Sequence, residues 1–482
     1  MSRARAILAI VAVSIAWHLK GLSAPPYDYH YHRQTNTAAI ARHYAQGRPF
    51  LSPQIDWDGA YSGPAATEFP LYMWLTGKLW PLAGLGDVWG RLLSAACSAL
   101  AAVYLFLFLD RRFSRAEAVW SAILFGVIPI EVYFGRTIQP EALALAATLA
   151  AFYHWDCFLD DDSPLHWCAA VLAAFLAIAH KLPYAYLLPA LATLTLMRRG
   201  AAAFKRPLVL AAPIICAAGV WSWYHHASAG AYVVPDHLPE LLAMLGGYAH
   251  FPYYVEFQLF SRLPELGATW PGMAMALAGA WLLWRRGQRF FHAWWGWVFL
   301  SLAAGGAYSF DHEYTALPLA PIMAAFMGPG LVWAWRRAGA LARARRARAG
   351  VAALLLSMPA FGYYRIKRWY IQNFQFLKRG APAAQALSRP SDLFLCNQRA
   401  SSVYLYAMDR RGWSFSLAEA GPRALGDVRD CIARGARFFA TAAVDFRPAD
   451  RAWFDARFPK VYDDGSFLIY RLGPTEPSSG RP

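Results

Sequence analysis

The sequence predicts a polytopic α-helical membrane protein of about eleven spanning helices, with interfacial helices in its first outer loop and a small C-terminal α/β domain. Three observations lead there. Residues of the AVILMFWYC set make up 57% of the 482 positions and charged residues only 16%. Soluble domains average about 45–50% apolar, a figure that also counts Gly, and about 25% charged. Aromatic residues are abundant, with 21 Trp, 25 Tyr and 30 Phe, and such amphipathic rings favour membrane interfaces. Lys and Arg gather in alternate connections between the apolar runs. This pattern excludes disorder, a fibrous repeat and a simple soluble enzyme.

Apolar stretches of spanning length fall at about 5–23, 88–109, 115–134, 140–158, 165–181, 183–198, 207–224, 268–285, 291–310, 314–335 and 349–366. One set of connections holds Arg3 and Arg5; Arg111, Arg112 and Arg115; Arg198, Arg199, Lys205 and Arg206; Arg285, Arg286 and Arg289; and the run Arg336 to Arg348. Only the Asp160–Asp162 turn in that set lacks Lys or Arg. The positive-inside rule puts this set in the cytoplasm. The net charge of +16 therefore sets topology and does not point to nucleic acid. Trp17, His18 and Lys20 interrupt the end of the first apolar run, which has no small-x-small cleavage site. It reads as a retained helix with a cytoplasmic N-terminus, and Lys20 can snorkel to the outer interface.

The domain reading follows. Residues 1–366 form the membrane module, with outer loops at 24–87 and 225–267, and residues 367–482 form an outer tail. In the tail, Phe394 and Leu395 sit in an apolar run, and Ser401–Met408 and Val428–Ala433 read as helices. Phe438 to Ala440 and Phe467 to Tyr470 read as strands, the second after an Asp464-Gly465 turn. The last ten residues, rich in Pro, Ser and Gly, read as disordered. Cys396 and Cys431 both lie in the tail and can pair in an oxidising compartment.

The first outer loop concentrates the chemistry. It contains Asp28, His30, His32, Arg33 and Gln34, then Asp56, then Glu68-Phe69-Pro70. Residues 35–46 and 69–80 read as two amphipathic helices on the membrane, flanked by Asp28 and Glu68. Carboxylates there can serve as general base or metal ligand, and Arg33, His30 and His32 can hold a phosphate. Each also has a plainer reading, Asp28 as a helix cap and the histidines as solvated loop residues. Two further turns fall on the same face, one with Arg136 and Glu141, the other with Asp311, His312 and Glu313. A loop salt bridge and a helix end are the plainer readings of those. His250, Tyr253, Tyr254 and Glu256 are candidates to line an acceptor side, as is Asp56. A divalent metal would need Asp28 with His30 or His32, since no compact ligand set appears.

These residues resemble the GT-C family of polytopic glycosyltransferases, and within it the bacterial members similar to protein O-mannosyltransferases and the lipid A aminoarabinose transferase. The resemblance rests on an ordered set. It runs from His32-Arg33-Gln34-Thr35 through Thr37-Ala38 and Ile40-Ala41-Arg42 to Pro53-x-Ile55-Asp56 and Glu68-Phe69-Pro70-Leu71. Arg136 with Pro140-Glu141, His312-x-Tyr314 with Leu317-Pro318-Leu319, and Tyr404-Leu405-Tyr406 with Arg411-Gly412-Trp413 complete it. It implies sugar transfer from a polyprenyl-phosphate-linked donor to a glycan, lipid or protein acceptor at the outer face of a bacterial cytoplasmic membrane. Lipid A is among the acceptors it brings to mind. It assigns an essential acid to Asp28 and further acidic positions to Glu68 and Glu141. His30, His32, Arg33, Gln34, Arg136 and His312 are expected on the lipid phosphate and donor. The chain departs from the pattern in two places. Tyr29 follows Asp28 where a second acid is common, and Phe69 stands where the aminoarabinose enzyme has Lys. The alternative class is a membrane transporter or lipid flippase, which would place charges near mid-helix.

Overall fold

The computed structural model describes residues 2–61, 63–229, 251–399 and 401–473. His250 and the Pro/Ser/Gly-rich terminus, apart from Gly473, lie outside the described residues. The chain divides into two compact units. One comprises residues 2–23, 88–226 and 251–370, and the other residues 24–87, 227–229 and 371–473.

The first unit is helical. Each of the eleven apolar stretches forms helix, from Arg3–His18 to Ala344–Ile366. Among the described residues four helices are long and apolar enough to cross a membrane: Asp87–Leu109, Glu141–Asp161, Pro207–Ser228 and Ala344–Tyr370. A fifth would count if Pro252–Gly267 and Trp270–Arg285, bent by 106° at their break, act as one span. Others are short or interrupted. The 115–134 stretch breaks between Phe125 and Pro129, because Pro129 starts a new helix at its first position. The 291–310 stretch stops at Ala304 and restarts at Gly306. Within the expected outer loop over 225–267, the described residues are mostly helical. Helix runs through Ser228, and helical turns resume from Phe251 to Gly267, the last ten residues with π-type spacing.

The Asp160–Asp162 turn, which breaks the run of basic connections, is neutralised by its neighbours. Asp160 pairs with Arg111 and Arg198, and Asp162 with Arg206 at 2.7 Å and Arg199 at 3.3 Å. Asp156, buried one helical turn earlier, takes Arg111 at 2.8 Å and also Arg112. The basic loops on either side thus lend their charge to the acidic turn.

In the second unit the tail forms a five-stranded sheet: β1 Leu393–Asn397, β2 Gly412–Phe415, β3 Ala436–Ala442, β4 Lys460–Asp463 and β5 Phe467–Arg471. The order is β2-β1-β3-β5-β4, with β1 parallel to β2 and β3, and β5 antiparallel to β3 and β4. Alternate residues face opposite sides. Phe394, Cys396, Phe438, Ala440, Phe467 and Ile469 pack under helices Leu377–Leu387 and Val403–Met408. Leu395, Phe439, Leu468 and Tyr470 pack under helices Ala424–Ala433 and Pro448–Asp455. Cys396 belongs to the first face and Cys431 to the second, and both are free. The pairing that the sequence left open is not made: the sheet itself stands between the two thiols.

The first-loop helices form at Tyr31–Ala45 and Leu71–Leu79. They are not isolated surface helices. Small residues let them pack closely, since a Cβ on Gly77 would sit 2.5 Å from the Ala41 carbonyl. Asn36 reaches the tail, its Oδ1 accepting from the Ser402 N–H at 3.0 Å and from Trp57 Nε1 at 3.2 Å. The loop also completes the sheet at β2. Gly412 N–H donates to the Asp56 carbonyl at 2.9 Å, and Gly59 N–H donates to the Gly412 carbonyl at 2.6 Å. That covers an otherwise open edge strand.

Candidate functional site

Within the second unit Asp28 is buried, with 1% of its surface exposed. It does not cap the following helix; His30 takes that position, in the left-handed conformation with φ 58°. Gln34, one turn into the helix, turns back and donates from Nε2 to Asp28 Oδ1 at 2.6 Å and to the Tyr29 carbonyl at 2.8 Å. A neutral amide thus helps to hold the carboxylate in place. Arg33, adjacent on the helix, forms a forked pair with Glu68 across the loop. Nη1 donates to Oε2 at 3.2 Å, Nη2 donates to Oε1, and Thr67 Oγ1 adds a bond to Oε2 at 3.0 Å. The sequence marks Arg33 and Glu68 separately, and the structure brings them together.

His32 lies against Tyr31, and its Nδ1 is buried without a hydrogen-bond partner among the described residues. Burial, and then the nearby Arg399 and His30, push its pKa down to about 4. It is neutral at pH 7. The unfolded side chain titrates near 6.5, so on acidification the unfolded chain takes this proton first. The associated stability is complete above pH about 6.5 and falls as pH drops towards about 4, by up to about 1 kcal/mol per pH unit. The difference in thermal unfolding midpoint between pH 7.5 and pH 5 should shrink in His32→Gln. An unchanged difference would contradict the neutral buried ring.

Asp56, expected on the acceptor side, is fully buried in an ion-pair cluster. Arg42 Nη2 lies 2.9 Å from Oδ2 and His43 Nε2 lies 2.8 Å from Oδ1. Burial alone would raise its pKa; Arg42, the His43 hydrogen bond and Arg411 outweigh burial and hold it below the usual carboxylate range. Arg42 also bonds the Tyr406 carbonyl at 3.0 Å and Asp409 at 2.9 Å. Asp56 thus ties the loop to the tail domain.

Within the first unit the turn from Gly135 to Glu141 is wholly buried. A side chain at Gly135 would meet His18 Nε2 at 2.3 Å, so this position needs glycine. Arg136 Nη1 donates to the Gly21 carbonyl at 3.3 Å, and its guanidinium lies 4.9 Å from the Tyr133 ring and 4.5 Å from the Tyr370 ring. Glu141 opens the next helix and pairs with Lys181 at 3.2 Å, with both residues at or below 5% exposure. Lys181 also lies 4.6 Å from the Tyr314 ring. His312 follows the end of helix Gly306–Asp311, with Nδ1 donating to the Tyr308 carbonyl at 3.0 Å and its ring stacked 4.3 Å from Tyr308. Tyr253 and Glu256 are exposed on the helix Phe251–Phe257, with Tyr253 packed against Phe310.

The sequence marks neither Lys181 nor Arg262 as a site residue. Arg262 is buried and donates to the Ser309 and Phe310 carbonyls, the latter at 2.6 Å, which satisfies the end of helix Gly306–Asp311. His18 and Glu131, both fully buried, form another unmarked pair, with His18 Nε2 3.1 Å from the Glu131 carbonyl and 3.8 Å from Oε1. The signal was present: single charges inside long apolar runs mark pairs or function. Among the described residues no three His, Cys, Asp or Glu side chains gather as metal ligands. Asp28 with His30 or His32 does not make such a set.

The chain has the fold of the GT-C membrane glycosyltransferases. Residues 64–224 match the dolichyl-phosphate-mannose-protein mannosyltransferase family. The fold is similar to that of ArnT from Cupriavidus metallidurans in its crystal structure with undecaprenyl phosphate, with 12% identity, a TM-score of 0.67, and 97% of this chain and 98% of that one covered. It is similar also to the archaeal oligosaccharyltransferase AglB from Archaeoglobus fulgidus in complex with an inhibitory peptide and a dolichol-phosphate. There the identity is 10%, the TM-score 0.60, and the coverage 91% of this chain and 69% of that one. No curated protein matches the chain.

Proposed function

We propose that this protein is an integral membrane glycosyltransferase that moves a sugar from a polyprenyl-phosphate carrier to an acceptor at the outer face of a bacterial cytoplasmic membrane. The observation that carries the reading is the end-to-end likeness to ArnT, which was solved with undecaprenyl phosphate bound. In this reading Asp28 is the base. Its carboxylate takes the proton of an acceptor hydroxyl, and the oxygen attacks the anomeric carbon from the face opposite the phosphate. The bond between that carbon and the phosphate oxygen breaks, its electron pair leaves with the polyprenyl phosphate, and the anomeric configuration inverts. A phosphate leaves well enough to need no general acid. Positive groups are needed where its charge develops, and Arg136 and His312 take that role.

The pairings refine the remaining assignments. Glu68 holds Arg33 by a forked contact, so Glu68 acts by orienting a cation. Glu141 does the same for Lys181, which joins the cations available to the donor. His30, His32 and Gln34 set the position of Asp28 and the donor head, while Tyr253 and Glu256 remain on the acceptor side. The N-terminus is cytoplasmic and the tail domain is outside. Native mass spectrometry of the gently solubilised chain with added undecaprenyl phosphate tests this. A retained polyprenyl phosphate or sugar conjugate is expected. Retention of bulk phospholipid alone would move the assignment to a transporter or flippase.

A further inference from the structure

The connection between helices Leu319–Gly339 and Ala344–Ile366 carries six arginines: Arg336, Arg337, Arg343, Arg345, Arg346 and Arg348. All six are exposed. No Asp or Glu occurs in the sequence between Glu313 and Asp392, and among the described residues none of the six arginines pairs with a carboxylate. Other basic connections are compensated. Asp110 takes Arg3 and Arg115, and Glu117 takes Arg286 at 2.9 Å. Asp156 and Asp162 take Arg111, Arg112, Arg198, Arg199 and Arg206. The 336–348 connection receives no such acid.

The local structure adds to this charge and does not relieve it. Arg343 precedes helix Ala344–Ile366, its side chain caps no N–H, and the first turn holds no acid. Arg345 and Arg346 lie in that turn, where the helix dipole disfavours cations. The Arg348 guanidinium carbon lies 5.5 Å from the Trp335 ring, and a Cβ on Gly339 would overlap the same guanidinium. An aromatic face attracts a cation without neutralising it. Trp335 and Leu341 are themselves exposed, by 43% and 60%. On helix Trp270–Arg285, Trp281 packs against Trp333 at 6.4 Å, and Arg285, one turn on, is exposed 5.7 Å from the Trp281 ring. Cations and amphipathic rings thus gather at one end of two neighbouring helices.

We propose that the Arg336–Arg348 hairpin is a binding surface for the headgroups of anionic phospholipids. Its place in the fold fits a lipid. The stretch Ala344–Tyr370 is long and apolar enough to cross a membrane, and Arg345, Arg346 and Arg348 lie at its very start. A basic segment beside a span attracts anionic lipid by about fivefold per charge. Guanidinium forks match the oxygens of a phosphodiester. Trp335 and Leu341 supply apolar bodies for the boundary between headgroups and acyl chains. In the orientation proposed above, the surface faces the cytoplasmic leaflet. The site requires the chain to lie in a membrane and is independent of the sugar-transfer reading.

The test uses the full chain in detergent micelles, titrated separately with phosphatidylglycerol and with phosphatidylcholine and read by native mass spectrometry. The parent should prefer phosphatidylglycerol by about tenfold. The triple variant Arg343→Gln, Arg345→Gln and Arg346→Gln should lower that preference to within about twofold. It retains Arg336, Arg337 and Arg348 to keep the helices oriented, and all three replaced side chains are exposed, so its thermal unfolding should match the parent. The corresponding triple Lys variant keeps the charge and should keep most of the preference. Arg389→Gln, Arg423→Gln and Arg457→Gln together remove the same charge from exposed positions of the tail, and should leave the preference unchanged. Equal loss in the hairpin and tail variants would overturn the site in favour of a net-charge effect. Absence of any preference in the parent would overturn it as well, and would turn the arginines towards an acidic soluble partner.

Discussion

Asp28→Asn should reduce transfer by about a hundredfold to ten-thousandfold, the range spanned by loss of a positioned general base. The substitution changes one atom of a buried side chain. Gln34 can still donate to the remaining carbonyl oxygen, so the local hydrogen bond seen at 2.6 Å has a counterpart in the variant. Thermal unfolding and retention of undecaprenyl phosphate should therefore stay close to the parent. Activity is read as liberation of polyprenyl phosphate from a lipid-linked sugar fraction, followed by mass spectrometry. Gln34→Leu is the useful companion, because it removes this hydrogen bond without removing the carboxylate. A smaller loss is expected there, with a shifted pH profile. Near-parental turnover in Asp28→Asn would remove Asp28 from the role of base.

The largest stability effect is expected at Lys181. Its ammonium and the Glu141 carboxylate, 3.2 Å apart, are both almost completely buried. Lys181→Met removes one side of this buried pair, and breaking such a pair costs about 3–5 kcal/mol. The double variant Lys181→Met with Glu141→Gln should recover much of the thermal stability, because both sides of the ion pair are then replaced together. Transfer should remain low in the double variant if Lys181 and Glu141 act on the donor. Recovery of activity along with stability would make the pair purely structural.

The helical part of this architecture was legible because apolar length and loop charge are local properties of the chain. The eleven segments and the Asp464-Gly465 turn are of that kind. The breaks were less legible, since Pro129 and the bend near Ala268 interrupt runs whose mean hydropathy stays high. Strands β2 and β4 were missed because Gly412–Phe415 and Lys460–Asp463 are four residues each, too short to carry an alternation. For the candidate site, residue types were readable and partnerships were not. Arg33 and Glu68 are 35 positions apart, and nothing local indicates that one forked contact uses both. Asp56 looked like a free carboxylate near a conspicuous motif, yet its hydrogen-bond partners His43 and Arg42 sit 13 and 14 positions earlier on a helix that folds back over it. The acidic turn at Asp160–Asp162 looked anomalous for the converse reason, because its compensating arginines belong to other loops.

The stretch from Asp56 to Gly59 that covers the edge of β2 has a consequence for biosynthesis. Asp58 and Arg411, joined at 2.6 Å, are 353 positions apart. At about 5–20 residues per second, the ribosome needs about 20–70 s to travel between them. During that interval the first outer loop has already been made, while the strand it must join does not yet exist. A chain that stops short of Arg411 therefore leaves the Asp28 loop without its permanent neighbour, and a tail made alone leaves a sheet margin open to intermolecular pairing. Completion of the polypeptide thereby becomes a condition for ordering the segment that carries the proposed base.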